Sequence, residues 1–334
     1  MINTTNYSAK KKYVFAVLVA IFLTIAVVIL CVCIGSVNIP FLQIRTHKTY
    51  ATIIFTLRLP RVLGAFIIGA SLAVCGATMQ GLLKNPLADG TTLGVSSGAA
   101  LGAVIAIFTG FYIPCLPGGG IVILSIAFAF ASLLLILGLA AKIDYSLSTH
   151  TIILLGIVFT MFANSIITLL TAFAGEKIQS ITFWMMGSLA NTSWNDLILL
   201  CIAFLLCTPI ILRYSRELNA FAISESNARN IGIHVKKTKL ILFFSVSALT
   251  GVCVSVGGSI GFVGLIVPHI TRIITGPNHK KLLPVTLFYG GIFLMLADLL
   301  CRIIIKPLEL PIGVITSIAG TIMFLYFFSK QRQA

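Results

Sequence analysis

Three arginines and one aspartate are the residues here best placed for electrostatic work. Arg58 and Arg61 stand in Leu-Arg-Leu-Pro-Arg, three apart, so a helix through them puts both on one face. Arg302 follows Asp298 by four residues, the spacing of an ion pair along a helix. Guanidiniums fixed at one end of a molecule suit carboxylates on a partner, often bidentately. The plainer reading is arginine stems snorkelling to lipid phosphates. Asp298 lies in an apolar run, where an acid is a functional candidate by default; the neighbouring Arg302 gives it a structural account, which is preferred. Covalent or metal chemistry finds no foothold. There is no Gly-x-x-x-x-Gly-Lys-Ser/Thr phosphate loop, no Gly-x-Ser-x-Gly elbow and no His-Glu-x-x-His pair. The eight cysteines include no Cys-x-x-Cys, Cys31 and Cys33 being the nearest pair, and His269 beside Pro268 stands alone. The expectation is no metal site, no cofactor and no catalytic residue in this chain.

The elements that must position these groups are apolar helices in lipid. Only 9% of the 334 residues are charged and 58% are hydrophobic, against roughly 25% charged in a soluble domain. The net charge of +15 does not mark a nucleic-acid binder, because the basic residues sit in short gaps between apolar runs. Lys10, Lys11 and Lys12 precede the first run, and Lys236, Lys237 and Lys239 another. A bilayer core needs about 20 apolar residues per helix. The sequence predicts an all-α integral membrane protein, one domain over 1–334 with about ten transmembrane helices. The spans fall near 13–35, 61–83, 92–109, 114–140, 149–173, 191–212, 238–256, 260–275, 283–303 and 311–329. The first apolar run is too long for the h-region of a cleaved signal. With both termini cytoplasmic, Arg45, Lys48, Arg58, Arg61, Lys177, Arg302 and Lys306 fall outside, leaving 16 of the 23 Lys+Arg inside, as the positive-inside rule requires.

The largest cytoplasmic segment, about 213–239, is polar and lacks an unbroken apolar face, so it docks on something or is a solvated loop. Ser224 reads as a helix cap with Glu225 in the first turn. Asn85-Pro86-Leu87-Ala88-Asp89-Gly90 reads either as an ordinary turn or as irregular backbone lining a pathway. Gly94, Gly98 and Gly102, and again Gly257 and Gly261, recur every fourth residue and predict close helix packing. Breaks at Asn85-Pro86 and Pro268-His269, one in each half, faintly suggest inverted repeats.

Two long stretches, LRLPRVLGAFIIGASLAVCGATMQGLLKNPLADGTTLGVSSGAALGA (57–103) and GGSIGFVGLIVPHITRIITGPNHKKLLPVTLFYGG (257–291), resemble the permease subunits of the ferric-siderophore, haem and vitamin B12 class of ABC importers. ADLLCRIII (297–305), ELPIGVITSIAG (309–320), FWMMGSL (183–189) and SESNARNIG (224–232) follow the same pattern, so the similarity runs in order from about residue 50 onward. The resemblance implies a homodimer in the cytoplasmic (inner) membrane, two cytoplasmic ATPase subunits that bind the ATP and Mg²⁺, and a substrate-binding protein docking outside. By the same resemblance Arg58, Arg61 and Arg302 meet acids on the binding protein. Leu218, Ala222, Ser224 and Glu225, with Ala228, Arg229 and Gly232, belong to the segment seated in the ATPase. Ser148 and Thr149 belong to the cytoplasmic gate, and Gln80, Asn85 and Pro86 lie near the path. The chain departs from the family pattern at Ser224, where glycine is common, at Gly90 and Ile322, where proline is common, and at the bulky His150.

The cargo expected is an iron chelate, a siderophore or haem, with cobalamin the alternative. An ion-coupled secondary carrier is disfavoured because none of the eight acids must sit unpaired at the bilayer midplane. A lipid-modifying enzyme lacks a nucleophile or metal site.

Overall fold

The computed structural model describes residues 2–35, 51–90, 92–113, 118–144 and 148–331. Arg45 and Lys48 lie outside the described residues, as do the first residues of the span expected from 114. Thirteen α-helices and no strand occur among the described residues. In chain order they are α1 (Ile2–Cys33), α2 (Leu59–Leu83), α3 (Val95–Thr109), α4 (Gly119–Ile143), α5 (Thr149–Ala172), α6 (Ile178–Met186), α7 (Trp194–Arg213), α8 (Ser215–Ile223), α9 (Glu225–Asn230), α10 (Val235–Gly257), α11 (Val263–Thr275), α12 (His279–Ile303) and α13 (Ile312–Gln331). A π-helical turn, Ile53–Arg58, leads into α2.

Seven helical stretches are long and apolar enough to cross a membrane, among them Tyr13–Cys33 and Ile53–Leu83; three shorter apolar helices, Val95–Thr109, Val263–Thr275 and Ile312–Tyr326, accompany them. This is an all-helical, multi-pass membrane protein. Lipid supplies no backbone hydrogen bonds, so each apolar run must close its own.

The centre of the bundle is α2, buried along nearly its whole length. It packs on α11 and α12 through bare backbone. A Cβ at Gly76 would land on the carbonyl of Gly264, and one at Gly69 on that of Gly290. Because lipid tails are as apolar as leucine, such close van der Waals contact drives helix association. Gly98 and Gly102 serve the same end, pressing α3 onto the backbone of α4 at Phe128 and Leu124. Gly94 does not share that face: it caps α3 with φ +67°, against Phe159 of α5. Gly257 closes α10 and Gly261 lies in the following loop with nothing near its missing Cβ. That second glycine pair is therefore not a packing stripe.

The segment after α2 begins as a turn. Lys84 is left-handed, and Asn85 Oδ1 accepts from the Leu87 N–H at 2.9 Å, an Asx turn that leaves Pro86 exposed. The chain then turns back into the bundle. Gly90 is buried with its Cα side against Thr250, fifteen residues up α10 from Val235, or about 22 Å at 1.5 Å per residue. Irregular backbone at such depth is tolerated because protein surrounds it.

Candidate functional site

Chemistry-bearing side chains gather at the two ends of the bundle. At the end opposite α8 and α9, Asp298 sits between two arginines. Arg61 donates from Nε to Asp298 Oδ1 at 2.9 Å and pairs from Nη2 at 2.8 Å, while Arg302 Nε stands 3.1 Å from Oδ2. The i,i+4 pair read from the sequence is present, and Arg61, from another helix, completes it. Arg61 also grips Glu309 with Nη1, at 3.0 and 2.9 Å. Arg58 diverges from Arg61: its Nη1 donates to the carbonyls of Val32 at 2.8 Å and Cys33 at 3.1 Å. Arg302 reaches the Cys31 carbonyl at 3.1 Å. Two guanidiniums thus satisfy the last carbonyls of α1, at the negative end of its dipole.

All three arginines are buried. The expectation that they display guanidiniums on a shared outer face is corrected: their charge is spent inside the fold, because guanidiniums near lipid find carboxylates and helix ends before water. Glu309 is the exposed member, at 34% for its side chain, and lines a cavity of ≈ 390 Å³ with Phe183, Trp184, Asn191 and Pro311.

At the other end, α8 and α9 form a short elbow. Leu218, Phe221 and Ala228 are wholly buried and root it in the main core, whereas Ala222, Arg229 and Gly232 are exposed. Ser224 caps α9, accepting from the Asn227 N–H at 2.9 Å, as its sequence position predicts. Ile223 and Ile231 stand 71% and 70% exposed on this polar segment. Glu225 turns inward: its Oε1 lies 2.8 Å from Lys239 Nζ and accepts from Thr149 Oγ1 at 3.1 Å. Ser148 caps α5 through the Thr151 N–H at 3.3 Å. The structure therefore brings Thr149 and Glu225 together. It adds Lys239, whose position in a helix start next to two other lysines gave no sign of its burial.

Gln80 is placed by a proline. Pro268 inside α11 has no N–H, so the Gly264 carbonyl four residues before it loses its helical donor. The Gln80 amide supplies one, donating to Gly264 O and Leu265 O at 3.2 Å each, and its own carbonyl accepts from Arg272 at 3.2 Å. Gln80 is buried by this work, which gives it a backbone-repair role in the single chain.

A further polar set escaped the sequence reading. Asn164, Ser165 and Thr168 share an exposed face of α5 with Ile157 and Met161. Their 3.6-residue recurrence within an apolar span was the available signal.

The FecCD transport family matches residues 23–330. The chain is 40% identical over 326 residues to an uncharacterised ABC transporter permease protein, YvrB, of Bacillus subtilis, covering 93% of this chain and 92% of that one. It is 36% identical over 285 residues to the cobalamin import system permease BtuC of Halobacterium salinarum, covering 85% and 75%. A solved structure described as an inward-facing metal-chelate type ABC transporter superposes with a TM-score of 0.87 at 32% identity, over 94% of this chain and 98% of that one.

Proposed function

Because the chain belongs to the FecCD transport family and is an importer permease of that family, we propose that two copies form the path of an ATP-driven importer for an iron chelate, a siderophore or haem. The seven long and three short apolar helices each cross the cytoplasmic (inner) membrane. Both termini and the α8–α9 elbow lie in the cytosol. Two ATPase subunits seat on that elbow and hold the ATP and Mg²⁺, and this chain supplies no catalytic group. Ser148 and Thr149 stand at the cytoplasmic gate. The α5 face with Asn164, Ser165 and Thr168 lines the path between the two copies, since small polar groups in a span suit water and a passing solute better than lipid. A binding protein docks at the Glu309 end and sets specificity.

The observation that carries the coupling assignment is the exposure of Ile223 and Ile231. Large apolar side chains on a polar segment outside the spans mark a partner surface. Removing residues 218–232 outright would cut Leu218 and Phe221 from the core, so the test is finer. Changing Ile223→Glu and Ile231→Glu together should strip the ATPase subunit from the purified complex, weakening it about tenfold or more. Undiminished co-purification would rule the elbow out as the seat. In proteoliposomes, uptake driven by an ion gradient with no ATPase would refute the importer reading. Against such a carrier stands Asp298, whose charge two arginines already neutralise.

Relatives named for iron(3+)-hydroxamate, hemin and Fe(3+) dicitrate import support the iron-chelate reading; the Halobacterium relative keeps cobalamin as the second choice. Uptake of labelled ferric siderophore, haem and cobalamin by the same liposomes separates them.

A further inference from the structure

Three cations converge on one cavity. Arg213, Arg216 and Lys280 line a space of ≈ 480 Å³ where the end of α7, the start of α8 and the start of α12 meet. All three are exposed, and none takes part in an ion pair or a side-chain hydrogen bond among the described residues. The charges of Arg58, Arg61 and Arg302 are spent inside the fold; these are not. Glu217 shares the wall, so three cations stand against one carboxylate. Helix α8 begins here, at Ser215, and the start of a helix favours an anion. Leu212 and Pro284 add apolar wall. From Arg213 an apolar stripe runs back along α7. Ile210, Leu206 and Ile202 follow at steps of three and four residues, on one face, and all are exposed. From Ile202 to Arg213 is eleven residues, about 16 Å at 1.5 Å per residue. That is close to one leaflet of a hydrocarbon core ~30 Å thick. Both α7 and α12 are long and apolar enough to cross a membrane, so the cavity lies where their ends leave the lipid.

We infer that this cavity binds an anionic phospholipid, its phosphate held by Arg213, Arg216 and Lys280 and an acyl chain laid along Ile210, Leu206 and Ile202. Guanidiniums take phosphate oxygens bidentately, and lysine adds a point charge. Basic pockets at the ends of membrane helices suit such headgroups. A soluble anion would leave the stripe on α7 unused; a lipid fills both parts. Such a site needs only that the chain span a bilayer, and neither the cargo nor the ATPase enters into it.

The test uses the full chain, purified and stripped of lipid in neutral detergent. Phosphatidylglycerol and phosphatidylcholine are offered in equal amounts, and the bound ratio is read by mass spectrometry. The native chain should retain the anionic lipid in preference by about tenfold or more. Each of Arg213→Gln, Arg216→Gln and Lys280→Gln should cut that preference about two- to fivefold, and Glu217→Gln should raise it by a similar factor. The three cations are exposed, so neutralising them leaves the core intact. Lys142→Gln removes an exposed cation in the last turn of α4, outside the cavity, and should change nothing. An equal loss in Lys142→Gln would mean diffuse attraction and overturn the inference, as would a native chain with no preference. Glycerophosphoglycerol, the same headgroup without its chains, should bind at least about tenfold more weakly. Equal binding of the chainless headgroup would assign a free phosphate ester and overturn the lipid as occupant.

Discussion

Asp298 answers to two guanidiniums at once, and its side chain is 2% exposed. Removing it leaves Arg61 and Arg302 buried with charge uncompensated, a loss of about 3–5 kcal/mol for a broken buried pair. Glu309, 34% exposed, sits where screening by water limits a pair to about 1 kcal/mol or less. Thermal unfolding in detergent should therefore show a large drop for Asp298→Ala and little change for Glu309→Gln. The second variant has a further consequence for docking. On the proposed docking, neutralising Glu309 leaves Arg61 Nη1 open to a carboxylate from a binding protein, and affinity should rise about two- to fivefold. Weaker docking in Glu309→Gln would mean that the acid is itself a contact and not a competitor. Charge reversal at Arg58 or Arg61, the obvious experiment from sequence, would instead drive an acid into a buried network and report on folding.

Helices in this protein meet where side chains vanish. Gly76 lies against the Gly264 carbonyl with no room for a methyl group, and backbone cannot yield as a flexible side chain can. Gly76→Ala should destabilise by roughly 1–3 kcal/mol through overpacking, seen as a lowered unfolding midpoint. Gly138→Ala on α4 is the control, since nothing lies within 4 Å of its missing Cβ; equal effects from both would deny that α2–α11 contact is what matters. The long helices were legible because lipid forces continuous apolar runs, and seven of the ten expected spans begin and end within three residues of the bounds of a helix among the described residues. The short ones were less so. α6 hides in what read as an outer loop, whereas the polar segment after Arg213, with its Ser224 cap, read as one or two short helices and holds α8 and α9. Partners far apart in sequence were equally opaque: Arg61 and Asp298 are 237 residues apart, and spacing along one helix could reveal only the Arg302 side of that site. Gln80 needed both its own position and the carbonyl orphaned by Pro268, which no single segment displays.

Taken whole, the molecule has a charge asymmetry stronger than its residue count suggests. Around the α8–α9 end cluster Arg213, Arg216, Lys236, Lys237, Lys280 and Lys281. At the other end, Arg58, Arg61 and Arg302 are buried in ion pairs and helix caps, and Lys177 donates to the last carbonyls of α3 through Phe108 at 2.9 Å. Folding thus removes much of the positive charge from one face and leaves it on the other. Lysine and arginine near span ends hold a face in the cytosol, so on the proposed orientation the elbow face is held inside by its own charge, independently of any partner. Ser226→Cys on exposed α9 should then resist a membrane-impermeant maleimide in intact cells and react once the membrane is opened. Glu176→Cys, exposed between α5 and α6, should react at once. The buried Cys31, Cys75, Cys253 and Cys301 add little to the signal of either variant. Labelling in the opposite order would invert the molecule, put the elbow out of reach of any ATPase, and end the importer reading at its root.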